Sequence, residues 1–318
     1  MNHLASLALS LAPLSQIAPW ATAVLRRNNV QVTGEGKPPL LLCNGFGCNL
    51  HIWNYLLPAL AVSHQVIRFD QVGTGESDLT AYDPVKYATL AGYAQDVVEI
   101  CQALDLREAI IVGHSAGAMI GLLAAVQAPE HFAKAVLLAA SPCYVNEPGY
   151  YGGFERADVL EVLASMESNY YSWAGQFANL LIGPGYAASV GEELTGYFCQ
   201  ADSEIARQFA RVAYLTDSRA AVPHLQLPTL LIQLRRCGRA GRGRRESARA
   251  FAPGATRDLT GHRSLPAPER PARNAGRDAG FLNGCVGRCG CSGGRPATYD
   301  AGQLAALLGP EYNLQHFR

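Results

Sequence analysis

Gly113-His114-Ser115-Ala116-Gly117 stands between two stretches of opposite character. Ala109-Ile110-Ile111-Val112 before it is short, apolar and β-branched, the pattern of a buried strand. Ala118 to Gln127 after it is rich in Ala, Leu and Met, the pattern of a helix, and Pro129 ends it. A G-x-S-x-G between strand and helix predicts a nucleophile elbow. The turn is so tight that only glycines avoid clashes on either side of the serine. It lifts Oγ clear of the backbone, and the helix start behind it offers free N–H groups to a developing oxyanion. Ser115 is therefore the candidate nucleophile.

Two further strands are legible upstream. Pro39-Leu40-Leu41-Leu42-Cys43 leads into Asn44-Gly45-Phe46-Gly47, and Val66-Ile67-Arg68-Phe69-Asp70 leads into a loop holding Gly73-Thr74-Gly75. As a phosphate loop the latter lacks a third glycine and an immediate helix, so it reads as a tight loop beside the site. Strands near 40–43, 66–69, 110–112, 135–140 and 229–233 alternate with helical patterns such as Tyr93–Ala103. Continuous apolar strands spaced in this way predict an α/β fold, a mostly parallel sheet with helices on both faces. Between Ser141 and Arg219 the strand signals stop. Helical patterns (Ala157–Met166, Ser203–Ala213) and the aromatics Tyr150, Tyr151, Phe154, Tyr170, Tyr171, Trp173 and Phe177 predict a helical cap there. Those rings either line an apolar pocket or pack the cap on the sheet.

From about Asn29 to Gln233 the chain resembles the α/β-hydrolases, specifically the RsbQ-like members of the bacterial general stress response. More distantly it is similar to the plant karrikin and strigolactone receptor hydrolases. The resemblance is carried by Asn44-Gly45-Phe46-Gly47-Cys48, Trp53-Asn54, Phe69-Asp70, Gly73, Gly75, Ser77-Asp78, Tyr93-Ala94-Gln95-Asp96-Val97 and Gly113-His114-Ser115. The more specific runs are Ser141-Pro142-Cys143-Tyr144, Tyr150-Tyr151-Gly152-Gly153-Phe154-Glu155 and Ile205-Ala206-Arg207-Gln208-Phe209-Ala210. It implies Ser115 as nucleophile, with the backbone N–H groups of Phe46 and Ala116 as the oxyanion donors. It further implies a small apolar ester- or lactone-like ligand, hydrolysed or sensed, no metal or cofactor, and a partner phosphatase with a sensory domain. The expected organisation is an N-terminal extension (1–28), the hydrolase core (29–140), the helical cap (141–220), a last core strand (221–233) and a tail (234–318).

The tail departs from that pattern. Residues 1–234 hold 11 Lys+Arg and 20 Asp+Glu, a net of −9, whereas residues 235–318 hold 15 and 6, a net of +9. All 15 tail cations are Arg, and Val286 is the one Val or Ile available to build a strand. A basic nucleic-acid tail predicts some Lys and leaves the loss of the last strands unexplained. A frameshift explains both, because Arg-, Gly-, Ala- and Pro-rich peptide is what GC-rich DNA gives out of phase. With suitable codons, Leu234–Gly241 read one base later becomes Cys-Ala-Asp-Val-Val-Ala-Pro. The same step in Gly261–Glu269 gives Asp-Thr-Gly-His-Cys-Pro-His-Leu. These resemble the family segments that carry the catalytic acid and His. In frame, His262 is the nearest substitute base, with His316, Asp258 and Asp278 weaker. Without a base a serine hydroxyl is a poor nucleophile, and the expectation is an impaired site.

The remaining features narrow the class. Nine scattered cysteines, with Cys43 and Cys101 in apolar patterns, fit reduced thiols in a cytoplasmic protein better than a disulfide framework. Cys285, Cys289 and Cys291 lack the paired C-x-x-C spacing of a zinc site. Met1–Val24 is apolar without Lys or Arg, and Pro13 and Pro19 interrupt it. It reads as an over-extended start or a loose amphipathic arm rather than a signal peptide or membrane span. No repeat, paired CxxC or DNA-binding motif is visible, so neither nucleic acid nor membrane is an expected partner.

Overall fold

The computed structural model describes residues 18–182 and 188–232. In chain order the elements are α1 (Pro19–Arg27), β1 (Gln31–Thr33), β2 (Leu40–Cys43), α2 (Leu57–Leu60), β3 (Val66–Arg68), α3 (Leu90–Ala103) and β4 (Ala109–His114). Then follow α4 (Ala116–Gln127), β5 (Phe132–Leu138), α5 (Arg156–Ser168), α6 (Tyr170–Ile182), α7 (Ala188–Gln200), α8 (Ser203–Leu215) and β6 (Thr229–Ile232).

The six strands form one sheet in the order β1-β3-β2-β4-β5-β6. Every pairing is parallel except β1 with β3. β2, β3 and nearly all of β4 are buried, as expected of apolar strands covered on both faces. On one face Leu41, Ile67 and Ile111 pack with α3 and α4. On the other, Leu40, Leu42, Val66, Ile110 and Val112 pack with Trp53 and Leu60. α4 is buried along most of its length, which explains why its sequence is apolar on all sides.

β1 was not legible in the sequence. It is three residues long, and Val32 alone is buried. The structure also extends β4 to His114 and begins β5 at Phe132 rather than near 135. The N-terminal segment differs more. Residues 19–27, expected in a loose extension, form α1 against α3. Arg27 Nη2 lies 3.0 Å from Asp96 Oδ1 and Arg27 Nη1 2.6 Å from Glu99 Oε2. Lys86 Nζ also reaches Asp96 Oδ1 at 2.6 Å, and the Tyr87 hydroxyl donates to Asp96 Oδ2 at 2.8 Å. Two cations and a phenol thus surround the buried Asp96 side chain and supply the partners that a buried acidic group needs. Residues 1–17 lie outside the described region.

The cap connects β5 to β6 and holds α5 to α8. Its two ends meet where Ser218 N–H donates to Pro142 O at 2.7 Å. α6 and α7 had no separate signature in the sequence, since glycines at 175, 191 and 196 dilute their helical pattern. Asp202 caps the start of α8, its carboxylate accepting from the N–H groups of Glu204 and Ile205 at 3.0 Å each, a contact worth about 1 kcal/mol. Among the described residues no helix is long and apolar enough to cross a membrane.

Candidate active site

Parallel pairing places the ends of β2 and β4 side by side, with Cys43 opposite Gly113. The turns that follow them therefore emerge together. Ser115 occupies the tip of the second turn at φ 54° and ψ −120°. A non-glycine residue there stores on the order of 1–3 kcal/mol of strain. The surroundings hold it: Ser115 N–H donates to Leu138 O at 2.8 Å, and Ala118 N–H donates to Ser115 O at 3.0 Å.

The flanking glycines answer a steric demand. A Cβ on Gly117 would lie 2.2 Å from Asn44 O, and one on Gly113 would lie 2.5 Å from Ala118 Cα. α4 thus starts in backbone contact with the turn after β2. That turn is pinned from behind. Asn44 Nδ2 donates to Phe69 O at 2.7 Å, Trp53 Nε1 donates to Asn44 Oδ1 at 2.6 Å, and Gln71 Nε2 donates to Asn44 O at 2.8 Å. Asp70 holds the neighbouring loops by accepting from Leu50 N–H at 2.7 Å, Asn29 Nδ2 at 2.8 Å and Glu76 N–H at 3.0 Å. Burial nonetheless raises its carboxyl above the usual range.

Phe46 and Ala116 thus lie on adjoining turns. Ala116 is the first residue of α4, a position whose N–H the helix itself does not use. Phe46 is buried and is the floor on which the cap rests. Its ring centroid lies 5.6 Å from Phe209, 5.9 Å from Phe198, 5.9 Å from Tyr214 and 6.3 Å from Trp173. Gly47, at φ +72°, permits this closeness, since a Cβ there would stand 1.8 Å from the Phe198 ring. Beside Phe46 a seam too tight to hold a water molecule runs between Val72, Ile205, Ala206 and Phe209.

Of the cap aromatics singled out in the sequence, Phe154, Tyr170, Trp173 and Phe177 are buried, whereas Tyr171 is exposed. Trp173 stacks on Phe177 at 4.6 Å, and Arg219 lies over the Tyr150 ring at 4.4 Å. Phe198, Phe209 and Tyr214 complete the layer. Phe209 was marked in the sequence only by its place in the Ile205–Ala210 run, whereas Phe198 and Tyr214 lie outside the helical patterns legible there.

Among the described residues the hydrogen-bond neighbour of Ser115 Oγ is the Tyr144 hydroxyl, at 3.4 Å. Tyr144 comes from the first stretch of the cap, and only its place in the Ser141–Tyr144 run marked it in the sequence. His114 precedes the serine, and the Cβ position of Gly45 lies 2.8 Å from its Nδ1. That nitrogen is buried without a partner, and burial lowers the imidazole to about 4, so it is neutral at pH 7. Cys43, Cys48, Cys101 and Cys143 are free and buried, and burial drives the Cys48 thiol up to about 12. Among the described residues no cluster of three or more His, Cys, Asp or Glu is placed to hold a metal. His262, His316, Asp258, Asp278, Gln233 and the cysteines at 285, 289 and 291 lie outside the described residues.

Comparison with known proteins agrees with this geometry. A karrikin insensitive 2 receptor of Petunia hybrida is 35% identical over 206 residues, 65% of this chain and 76% of the receptor. A strigolactone esterase of Arabidopsis thaliana is 33% identical over 210 residues, 66% of this chain and 78% of the esterase. The structure of a hydrolase from Oleispira antarctica superposes with a TM-score of 0.70 at 34% identity, covering 74% of this chain and 88% of the hydrolase. The alpha/beta hydrolase fold family matches residues 38–223, from the strand that leads into the Phe46 turn through the elbow and the whole cap. With the sheet order, the strained serine between two obligatory glycines and this match in hand, the chain belongs to the alpha/beta hydrolase fold family.

Proposed function

We propose that this chain is a serine-dependent hydrolase or sensor of a small, apolar ester- or lactone-like molecule, with Ser115 as nucleophile. The backbone N–H groups of Phe46 and Ala116 are its oxyanion donors. The observation that carries this reading is the conformation of Ser115. A φ of 54° with ψ −120°, kept between two glycines whose Cβ positions meet backbone atoms, is the strained turn that presents a nucleophile at a reacting centre. Esterase and receptor relatives support the ligand class. In this mechanism Ser115 Oγ attacks the carbonyl carbon, the carbonyl oxygen takes up negative charge between the two N–H groups, and the alcohol or enol leaves.

The step needs a base for the serine proton. We infer that this chain lacks its family base and acid because the frame is lost after Gln233, which leaves the site impaired. The Arg-rich composition beyond that residue supports this, and so does the end of the family match at residue 223. An oxyanion hole and binding alone leave roughly 10³–10⁴-fold over water.

The test is labelling with a fluorophosphonate and hydrolysis of a short-chain aryl ester. It uses the present chain, its Ser115→Ala variant and a chain shifted by one base after Gln233. The expected result is slow Ser115 labelling in the present chain and ready labelling plus measurable turnover in the shifted one. Fast labelling of the present chain would show that an in-frame base reaches the serine, and no labelling of either would end the hydrolase reading.

A second reading is ligand sensing without turnover, with output to a partner phosphatase that carries a sensory domain, as in RsbQ-like stress signalling in the cytoplasm. The receptor relatives support the sensing part of this reading. Ligand-dependent capture of such a phosphatase, retained by Ser115→Ala, separates it from the first.

A further inference from the structure

α7 carries a ring that packs on the turn after β2, beside the elbow, and the same helix is tied to the core at two points. Phe198 is fully buried against Phe46 and Gly47. Near it, Asn49 Nδ2 donates to Gln200 Oε1 at 3.0 Å. Almost two turns earlier, the Tyr55 hydroxyl donates to Glu193 Oε2 at 2.7 Å. The Tyr197 hydroxyl donates to Oε1 of the same carboxylate from the next turn of α7. One carboxylate therefore binds a phenol of the core and a phenol of its own helix. Tyr55 is 69% exposed, so packing does not account for its position. The hydroxyls of Tyr197 and Tyr55 hold the Glu193 carboxyl below its ordinary range, helped by the nearby His51, so the acceptor stays charged at neutral pH.

We propose that Tyr55, Glu193 and Tyr197 form a latch that holds α7, and with it Phe198, down on Phe46, and so sets how often the cap opens over the elbow. The latch would govern ligand entry only if the Ser115 reading above holds; the latch itself stands apart from that reading. Glu193 must be anchored from the core for the helix to be held, because the bond from Tyr197 lies within α7 and ties nothing across. Tyr55 supplies that cross-tie, and Tyr197 fixes the rotamer of the carboxylate that receives it. Loss of the tie leaves α7 on Asn49–Gln200, on the bond from the Tyr170 hydroxyl to Phe198 O at 2.7 Å and on its apolar contacts, which tilts the cap toward opening rather than unfolding it.

The experiment uses the full chain carrying Trp20→Phe, which removes the half-exposed indole and leaves the buried Trp53 and Trp173 as reporters. Tyr55→Phe, Glu193→Ala and the double variant are compared by acrylamide quenching and by hydrogen exchange of α7. The expected result is a rise of about two- to fivefold in both. Exchange in β4 and α3 should not change, and the double variant should match the larger single effect. Unchanged α7 exchange, or a uniform rise across all elements, would overturn the latch. Fluorophosphonate labelling in the same variants separates the two readings. If Ser115 is labelled neither in these variants nor in the chain shifted after Gln233 while α7 exchange rises, the latch stands and the hydrolase reading falls.

Discussion

Ser115 Oγ faces the Tyr144 hydroxyl at 3.4 Å, so the side chain at the tip of the elbow meets one from the start of the cap. The distance is long for a hydrogen bond between two oxygens, so the two hydroxyls are neighbours without a tight bond between them. The Tyr144 ring is placed independently of its hydroxyl, 5.7 Å from Tyr214 and 6.4 Å from Phe154.

Tyr144→Phe is therefore expected to keep the fold and to slow Ser115 labelling. Loss of one hydrogen bond to a group that becomes charged corresponds to about 1–2 kcal/mol, roughly five- to thirtyfold in rate. The thermal midpoint should move by no more than about 2 °C. Labelling at the wild-type rate would show that the phenol serves packing alone.

Ser115→Gly should stabilise the protein relative to Ser115→Ala. Both remove the hydroxyl, but only glycine accepts φ 54° without a clash of Cβ. The difference should be about 1 kcal/mol, read from denaturant midpoints. Equal midpoints would mean that the elbow relaxes in the variants.

Two glycines should respond in opposite directions to alanine. Gly117→Ala puts a Cβ 2.2 Å from Asn44 O, a backbone atom held by the Gln71 bond at 2.8 Å. It should cost more than about 3 kcal/mol. Gly196→Ala in α7 meets nothing within 4 Å and should add about 0.5–1 kcal/mol from helix propensity. A Gly117→Ala protein as stable as wild type would contradict the close contact of α4 with the turn after β2.

His114 gives a dependence on pH. Its imidazole falls from 6.5 when unfolded to about 4 in the fold, through burial. A depressed histidine leaves the unfolded chain holding more protons between those values, so stability falls as pH drops from 6.5 to 4. The loss is on the order of 3 kcal/mol, fully present below pH 4 and absent above 6.5. His114→Asn should flatten that part of the stability profile. An unchanged slope would mean that the ring is protonated in the fold.

Much of the architecture could be read from local pattern. The strands Leu40–Cys43 and Ala109–Val112 announce themselves because a strand buried on both faces has few polar positions to blur it, and in Val66–Arg68 only Arg68 interrupts the apolar run. The elbow is legible for a similar reason, since its glycines answer a steric need that no other residue meets. β1, α6 and α7 were not legible, because a half-buried three-residue strand and glycine-diluted helices take their form from neighbours rather than from propensity.

By itself the sequence determined the parallel core, the position of Ser115 at a strand-to-helix turn and the break in composition after Gln233. These depend on residues close together in the chain, whose spacing is set by backbone geometry. Tertiary structure alone decided that Tyr144 faces Ser115, that Phe46 carries four cap rings, that Asp96 anchors α1 and that Tyr55 reaches Glu193. Those contacts join residues 29 to 168 positions apart. Only folding of the cap over the sheet brings such partners within a few ångströms, and no periodicity along the chain records which of many aromatics and carboxylates will meet.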